Sequence, residues 1–133
     1  SFRRAENLNK NIIPNSKTLI NNLLVLNSKY NVISKMENLE IFKNLKELDL
    51  GLNEISKIEN IHQTRLLKKL DISGNGIKQL ENLRGLKALE VLNLSKNKIK
   101  VIQDTENLHS LKELNLSFNK IRTLHNLDKL KYL

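Results

Sequence analysis

The sequence predicts an α/β repeat solenoid, a curved stack of short units with a parallel β-sheet on its concave side and short helical, 3-10 or extended segments on its convex side. Three observations predict it. Asparagine recurs every 22 residues, at Asn31, Asn53, Asn75, Asn97 and Asn119. Leucine or isoleucine keeps the same offsets around each of them, so one period dominates the chain. Apolar and polar residues alternate just before each asparagine, the period-two mark of a strand with one face buried.

With Leu45 as position 1, the repeats run 23–44, 45–66, 67–88, 89–110 and 111–132. Position 4 holds Leu26, Leu48, Leu70, Leu92 and Leu114, position 11 holds Ile33, Ile55, Ile77, Ile99 and Ile121, and position 14 holds Met36, Ile58, Leu80, Ile102 and Leu124. Residues 1–22 read as a degenerate first repeat or N-terminal cap. Asn9 is in register, but Arg4 stands where the other units have Leu, and Leu8, Ile12, Ile13, Leu19 and Ile20 suit a short helix-and-loop cap. A solenoid needs such a cap, because a terminal repeat otherwise leaves its apolar face in water. At the other end the sequence stops at Leu133, position 1 of a next unit. An open face of Leu111, Leu114 and Leu116 is unfavourable, so further chain or a covering partner is expected there.

Within a unit, positions 2–7 alternate, as in Lys46, Glu47, Leu48, Asp49, Leu50, Gly51, and give one short strand. Parallel strands stack at about 4.8 Å. The return segment, positions 11–20, packs Ile and Leu against them and is wider than the strand, so the stack curves. The Asn at position 9 sits where the chain turns inward. Its amide can donate and accept at once, satisfying backbone groups of adjacent turns in a structural Asn ladder. Thr64 at position 20 and Thr105 at position 17 replace large apolar residues, so a thinner or irregular convex side is expected near both.

Composition narrows the function. There is no Cys and no Trp, one Pro and four Gly, which excludes disulfide staples and thiolate metal sites. No apolar run approaches the roughly 18 residues that cross a membrane. The net charge is +9. Lys outnumbers Arg 18 to 5 and Asn numbers 20, which fits an AT-rich coding bias as readily as an acidic partner or nucleic acid.

No catalytic, cofactor or metal constellation emerges. His62, His109 and His125 fall at positions 18, 21 and 15 of different units, in different columns. Gly74-Asn75-Gly76 lacks the further Gly and the Lys-Ser/Thr of a phosphate loop and reads as a turn. Asp49 and Asp71 are neighbours at position 5, but Asn27, Asn93 and Asn115 continue the column, which reads as a hydrogen-bonding row rather than a carboxylate pair.

The segments LKELDLGLNEISKIENI and LKELNLSFNKIRTLHNL resemble the leucine-rich repeat. Their 22-residue length and the I-x-x-[IL]-x-[ND] stretch after the Asn are similar to the intracellular subclass that includes the regulatory subunit of protein phosphatase 1 and axonemal repeat proteins. The resemblance covers about residues 23–133. It implies a leucine-rich-repeat horseshoe and a non-catalytic scaffold or regulatory subunit that binds a protein on its concave face. Three settings follow from it: a phosphatase regulatory subunit, a cytoskeletal or axonemal protein facing acidic tubulin tails, and a spliceosomal module.

On that reading the partner-binding residues lie in two groups. Position 3 of the concave face offers Val25, Glu47, Lys69, Val91 and Glu113, and position 8 offers Tyr30, Leu52, Gly74, Lys96 and Phe118, whose apolar members could cover the turn or mark a partner site. Lys96, Lys98, Lys100, Lys120 and Arg122 form a basic edge beside that face, suited to an acidic protein surface such as a tubulin tail or a phosphatase. Nucleic acid fits less well, because five aromatics supply no stacking platform. A cytoplasmic location is expected, with cytoskeletal, ciliary or nuclear settings as variants. Glycan acceptors at Asn93-Leu94-Ser95 and Asn115-Leu116-Ser117 would fall on the binding strands if the protein were secreted.

Overall fold

A computed structural model describes residues 22–128, 130 and 132. One strand per repeat forms within the stretch where the alternation predicts it, and two further short strands form in the return segments. In chain order they are β1 (Val25–Asn27), β2 (Glu47–Asp49), β3 (Lys69–Asp71), β4 (Gln79–Leu80), β5 (Val91–Asn93), β6 (Val101–Ile102) and β7 (Glu113–Asn115). Five of them make a parallel sheet in the order β1-β2-β3-β5-β7, one strand per repeat. The register is the 22-residue offset itself: Leu26, Leu48, Leu70, Leu92 and Leu114 pair in one row. The cap expected over residues 1–22 lies outside the described residues, apart from Asn22.

The core is a set of stacked rows. Leu45, Leu67, Leu89 and Leu111 fill position 1, Leu48, Leu70 and Leu92 position 4, Ile55, Ile77 and Ile99 position 11, and Ile58, Leu80 and Ile102 position 14, all buried. Each row is assembled from successive repeats into one cluster, so one repeat has no complete core and stability grows by stacking. The convex return is extended chain and tight turns. It contains a 3-10 turn at Leu39–Ile41 and a second small parallel sheet, β4-β6.

Thr64 and Thr105 do not disturb the convex side as expected. Both are buried, and their hydroxyls donate to backbone carbonyls, Thr64 to Ile61 at 2.7 Å and Thr105 to Asn126. The turn that follows is kept: the amides of Leu67 and Leu108 donate to the Thr64 and Thr105 carbonyls at 3.1 and 3.0 Å, as that of Leu89 does to the Leu86 carbonyl at 3.2 Å. A threonine fits because its hydroxyl finds a carbonyl at once. A third departure went unremarked in the sequence. Ser28 stands at position 6, where later units have Leu50, Ile72 and Leu94, and its buried Oγ has no hydrogen-bond partner.

Two positions in every repeat take left-handed backbone. Position 8 does so at Tyr30, Leu52, Gly74, Lys96 and Phe118, and position 16 at Asn38, Asn60, Asn82, Asp104 and Asn126, with φ between 53° and 63°. Asn and Asp tolerate this region because a short polar side chain can bond locally. Tyr30, Leu52, Lys96 and Phe118 gain no such bond. Their conformation is imposed by the ladder on either side of them.

Candidate functional site

Four ladder asparagines, Asn53, Asn75, Asn97 and Asn119, tie their own turn to the preceding repeat. The amide of Asn75 donates to Leu50, Ile72 and Ser73 carbonyls at 3.0–3.1 Å, and its oxygen accepts from the Ile55 amide at 2.9 Å. Asn53, Asn97 and Asn119 repeat this, accepting from Ile33, Ile77 and Ile99. Among the described residues, Asn31 donates to the Ser28 and Lys29 carbonyls of its own turn. A second ladder lies on the convex side: Asn60, Asn82 and Asn126 donate to Met36, Ile58 and Ile102 at 2.7–2.8 Å. Its 22-residue spacing was visible in the sequence but drew no structural role there.

Asp104 occupies that convex column and has no amide to donate. It accepts instead, from the Asn82 backbone at 3.0 Å and from Arg84 through two nitrogens at 3.0 and 3.1 Å. Arg84 also reaches Glu106 at 3.8 Å. Asn82, Arg84 and Asp104 border a concavity of about 620 Å³ that includes Asn60 and His62. His62, His109 and His125 are all exposed and lie on separate turns. Among the described residues no group of three or more His, Cys, Asp or Glu could hold a metal ion, and no helix is long and apolar enough to cross a membrane.

The concave sheet brings the position-3 residues together. Val25, Glu47, Lys69, Val91 and Glu113 are direct neighbours in the strand register, with Glu47 beside Lys69. Position 5 forms the adjoining row. Its side chains act first within their own repeat, accepting the amide two residues on: Asn27 from Lys29, Asp49 from Gly51, Asp71 from Ser73, Asn93 from Ser95 and Asn115 from Ser117, at 2.9–3.1 Å. These are Asx turns, which end each strand cleanly. One bond crosses repeats, from the Asn93 amide to Asp71 at 3.0 Å, so the continuous row expected from the sequence is mostly a set of local caps. A shallow groove of about 240 Å³ runs between Val25, Glu47, Asp49, Lys69 and Asp71.

On the other side of position 3, position 2 places Lys68, Glu90 and Lys112 in adjacent repeats. Glu90 bonds Lys112 at 2.9 Å and faces Lys68 at 3.8 Å. The hydrogen bond and attraction of Lys112, helped by Lys68, hold the Glu90 carboxyl below its ordinary value of 4.5. An alternation of opposite charges every 22 residues was the signal for this triad.

The position-8 residues do not form one apolar patch. Tyr30 and Phe118, 74% and 77% exposed, stand at opposite ends of the column. Leu52 lies over Gly74, where a Cβ would come within 2.4 Å of the Leu52 Cδ2, so this leucine covers the turn more than it projects. Lys29 sits over the Tyr30 ring at 5.1 Å and Lys96 over Phe118 at 6.0 Å. Beyond this column Lys98, Lys100, Lys120 and Arg122 are exposed side by side, and Lys100, Lys120 and Arg122 border a concavity with Ile121.

Residues 65–121 match a family model described as Leucine rich repeat, and residues 43–57 match a second model of the same description. No curated protein matches the chain. Among solved structures, internalin C2 of Listeria monocytogenes is 30% identical over 81% of this chain and 49% of its own, with a TM-score of 0.73. An internalin from the same organism, inlF, is 27% identical over 91% of this chain and 36% of its own, with a TM-score of 0.76. The structure of a TLR13–ssRNA13 complex contributes a chain 29% identical over 80% of this one and 17% of its own, at a TM-score of 0.67. The chain thus spans half or less of the length of each of these proteins.

Proposed function

The chain is a leucine-rich-repeat protein, and from that premise we propose that it is a non-catalytic scaffold holding a protein partner on its concave sheet face. Leucine-rich repeats are generally protein-interaction scaffolds. The observation that carries the reading is the unbroken row Val25, Glu47, Lys69, Val91, Glu113, presented on five strands whose other face is locked into the core. A rigid, pre-formed surface of mixed charge and small apolar side chains binds without first having to be ordered, which lowers the entropic cost of association.

Affinity capture from a cell lysate tests it, comparing the parent with a Lys69→Glu, Val91→Ser variant and identifying the retained proteins by mass spectrometry. A protein held by the parent and lost by the folded variant supports the concave face; equal retention sinks it.

Within this reading we favour a cytoplasmic, cytoskeletal setting with an acidic partner such as a tubulin tail, because Lys96, Lys98, Lys100, Lys120 and Arg122 lie together. A phosphatase regulatory subunit is the alternative setting, and the mixed charge of the concave row suits it less. Glycans on Asn93 or Asn115 would crowd that same row, which supports the cytoplasmic placement. A second reading, a nucleic-acid-associated module, draws on the basic edge and on the likeness to a chain solved in complex with single-stranded RNA. Steep loss of binding with salt, tracking phosphate neutralisation, would favour it.

A further inference from the structure

The basic edge is polarised along the stack. Apart from Lys96 at the left-handed turn, it consists of positions 10 and 12, just beyond that turn. In the first two repeats these positions hold Val32, Ser34, Glu54 and Ser56, with no cation among them. In the last three they hold Gly76, Lys78, Lys98, Lys100, Lys120 and Arg122, with five cations in six places. A compositional excess of lysine would scatter over both halves. This one begins at one repeat and continues through the next two.

The backbone there is fixed, so the cations form a set array. The amides of Lys98 and Lys120 donate to Ile77 and Ile99 at 2.8 and 2.9 Å, and that of Lys100 to Lys78 at 3.0 Å. The Cα atoms of counterparts in adjacent repeats are therefore about 5 Å apart, and those of positions 10 and 12 in one repeat about 7 Å, which crowds the cations they carry. Among the described residues no carboxylate forms an ion pair with Lys78, Lys98, Lys100, Lys120 or Arg122; the paired cations are Lys68, Arg84 and Lys112. Like charges this close repel, a strain that a bound polyanion would relieve. Phe118 stands beside the array, 77% exposed.

We propose that this edge is a second docking site, for a short acidic peptide segment carrying one large apolar side chain, with the carboxylates on Lys98, Lys100, Lys120 and Arg122 and the apolar group on Phe118. It deepens the scaffold reading by giving the protein a second, separately mutable contact. A peptide fits better than RNA: four of the five cations are lysines, point charges without the bidentate fork suited to phosphate, and a single ring offers no succession of stacking surfaces.

The test is fluorescence anisotropy with a dye-labelled synthetic peptide of alternating Glu and Ser with one central Phe. The same peptide with Ser in place of Phe, and a labelled single-stranded RNA oligonucleotide, serve as comparators. The parent is expected to bind the Phe peptide, with affinity falling as salt rises. A Lys98→Glu, Lys120→Glu variant should bind about tenfold more weakly or worse. Phe118→Ser should abolish the difference between the two peptides. A Lys69→Glu, Val91→Ser variant should bind as the parent does, so failure of the concave-face reading and failure of this one are told apart. Unchanged melting confirms that each exposed substitution leaves the fold intact. The proposal is overturned by undetectable binding, by equal binding to the doubly reversed variant, by loss in the concave variant instead, or by tighter binding of the RNA oligonucleotide.

Discussion

Asn75 accepts the amide proton of Ile55 at 2.9 Å, across the boundary between two repeats. Its own amide reaches back to Leu50 of the earlier repeat and to Ile72 and Ser73 of its own. One side chain therefore closes backbone groups from both units, and the interface between units depends on it.

Asn75→Ala is expected to destabilise the protein by about 1–3 kcal/mol, the penalty for leaving inward-facing backbone groups unpaired. Denaturant titration of the variant checks it; a neutral Asn75→Ala would mean that the ladder is ornamental.

The convex ladder makes a different demand. Asn60 combines a φ of 56° with a 2.8 Å bond to Met36. Asn60→Gly loses the bond but keeps the conformation at little steric cost, whereas Asn60→Ala loses the bond and adds about 1–2 kcal/mol of left-handed strain. Thermal melts should rank the parent above Gly and Gly above Ala.

Ser28→Ala is expected to raise stability, by up to about 1 kcal/mol, because it removes a buried hydroxyl with no partner. Unfolding midpoints of the two proteins decide it, and a destabilised variant would show that the hydroxyl has a partner after all.

Glu90 gives a pH signature. Its carboxyl lies below the ordinary 4.5, so the stability contributed by its ionised form is complete above that value and is lost as pH falls through the lowered one. Lys112→Ala removes the main cause and should move the Glu90 midpoint up toward 4.5, as followed by NMR titration.

Much of this fold was legible because the physics repeats. A 22-residue period fixes the strand register residue by residue, and Leu48 pairs with Leu70 as the spacing requires. The ladder role of Asn53 followed from the same period. Less legible was what depends on side-chain reach. Thr64 and Thr105 read as gaps in an apolar row, yet each turns its hydroxyl to a carbonyl, a choice that hydrophobic pattern does not encode. For the position-8 residues the sequence left open whether the apolar members cover the turn or mark a partner site, and only the structure shows Leu52 lying across Gly74. The Glu90 triad and the convex asparagines were periodic too. Their bonding was not legible, because exposed polar positions carry no burial requirement that dictates a partner.

The concave-face claim is tested most directly by site-specific photo-cross-linking in a cell lysate, with the photoreactive residue at Lys69 on β3 or, as a matched control, at Lys57 on the convex side, both exposed. The account expects a discrete protein adduct from position 69 and none of it from position 57. An adduct that forms from position 57 while position 69 stays silent would contradict it.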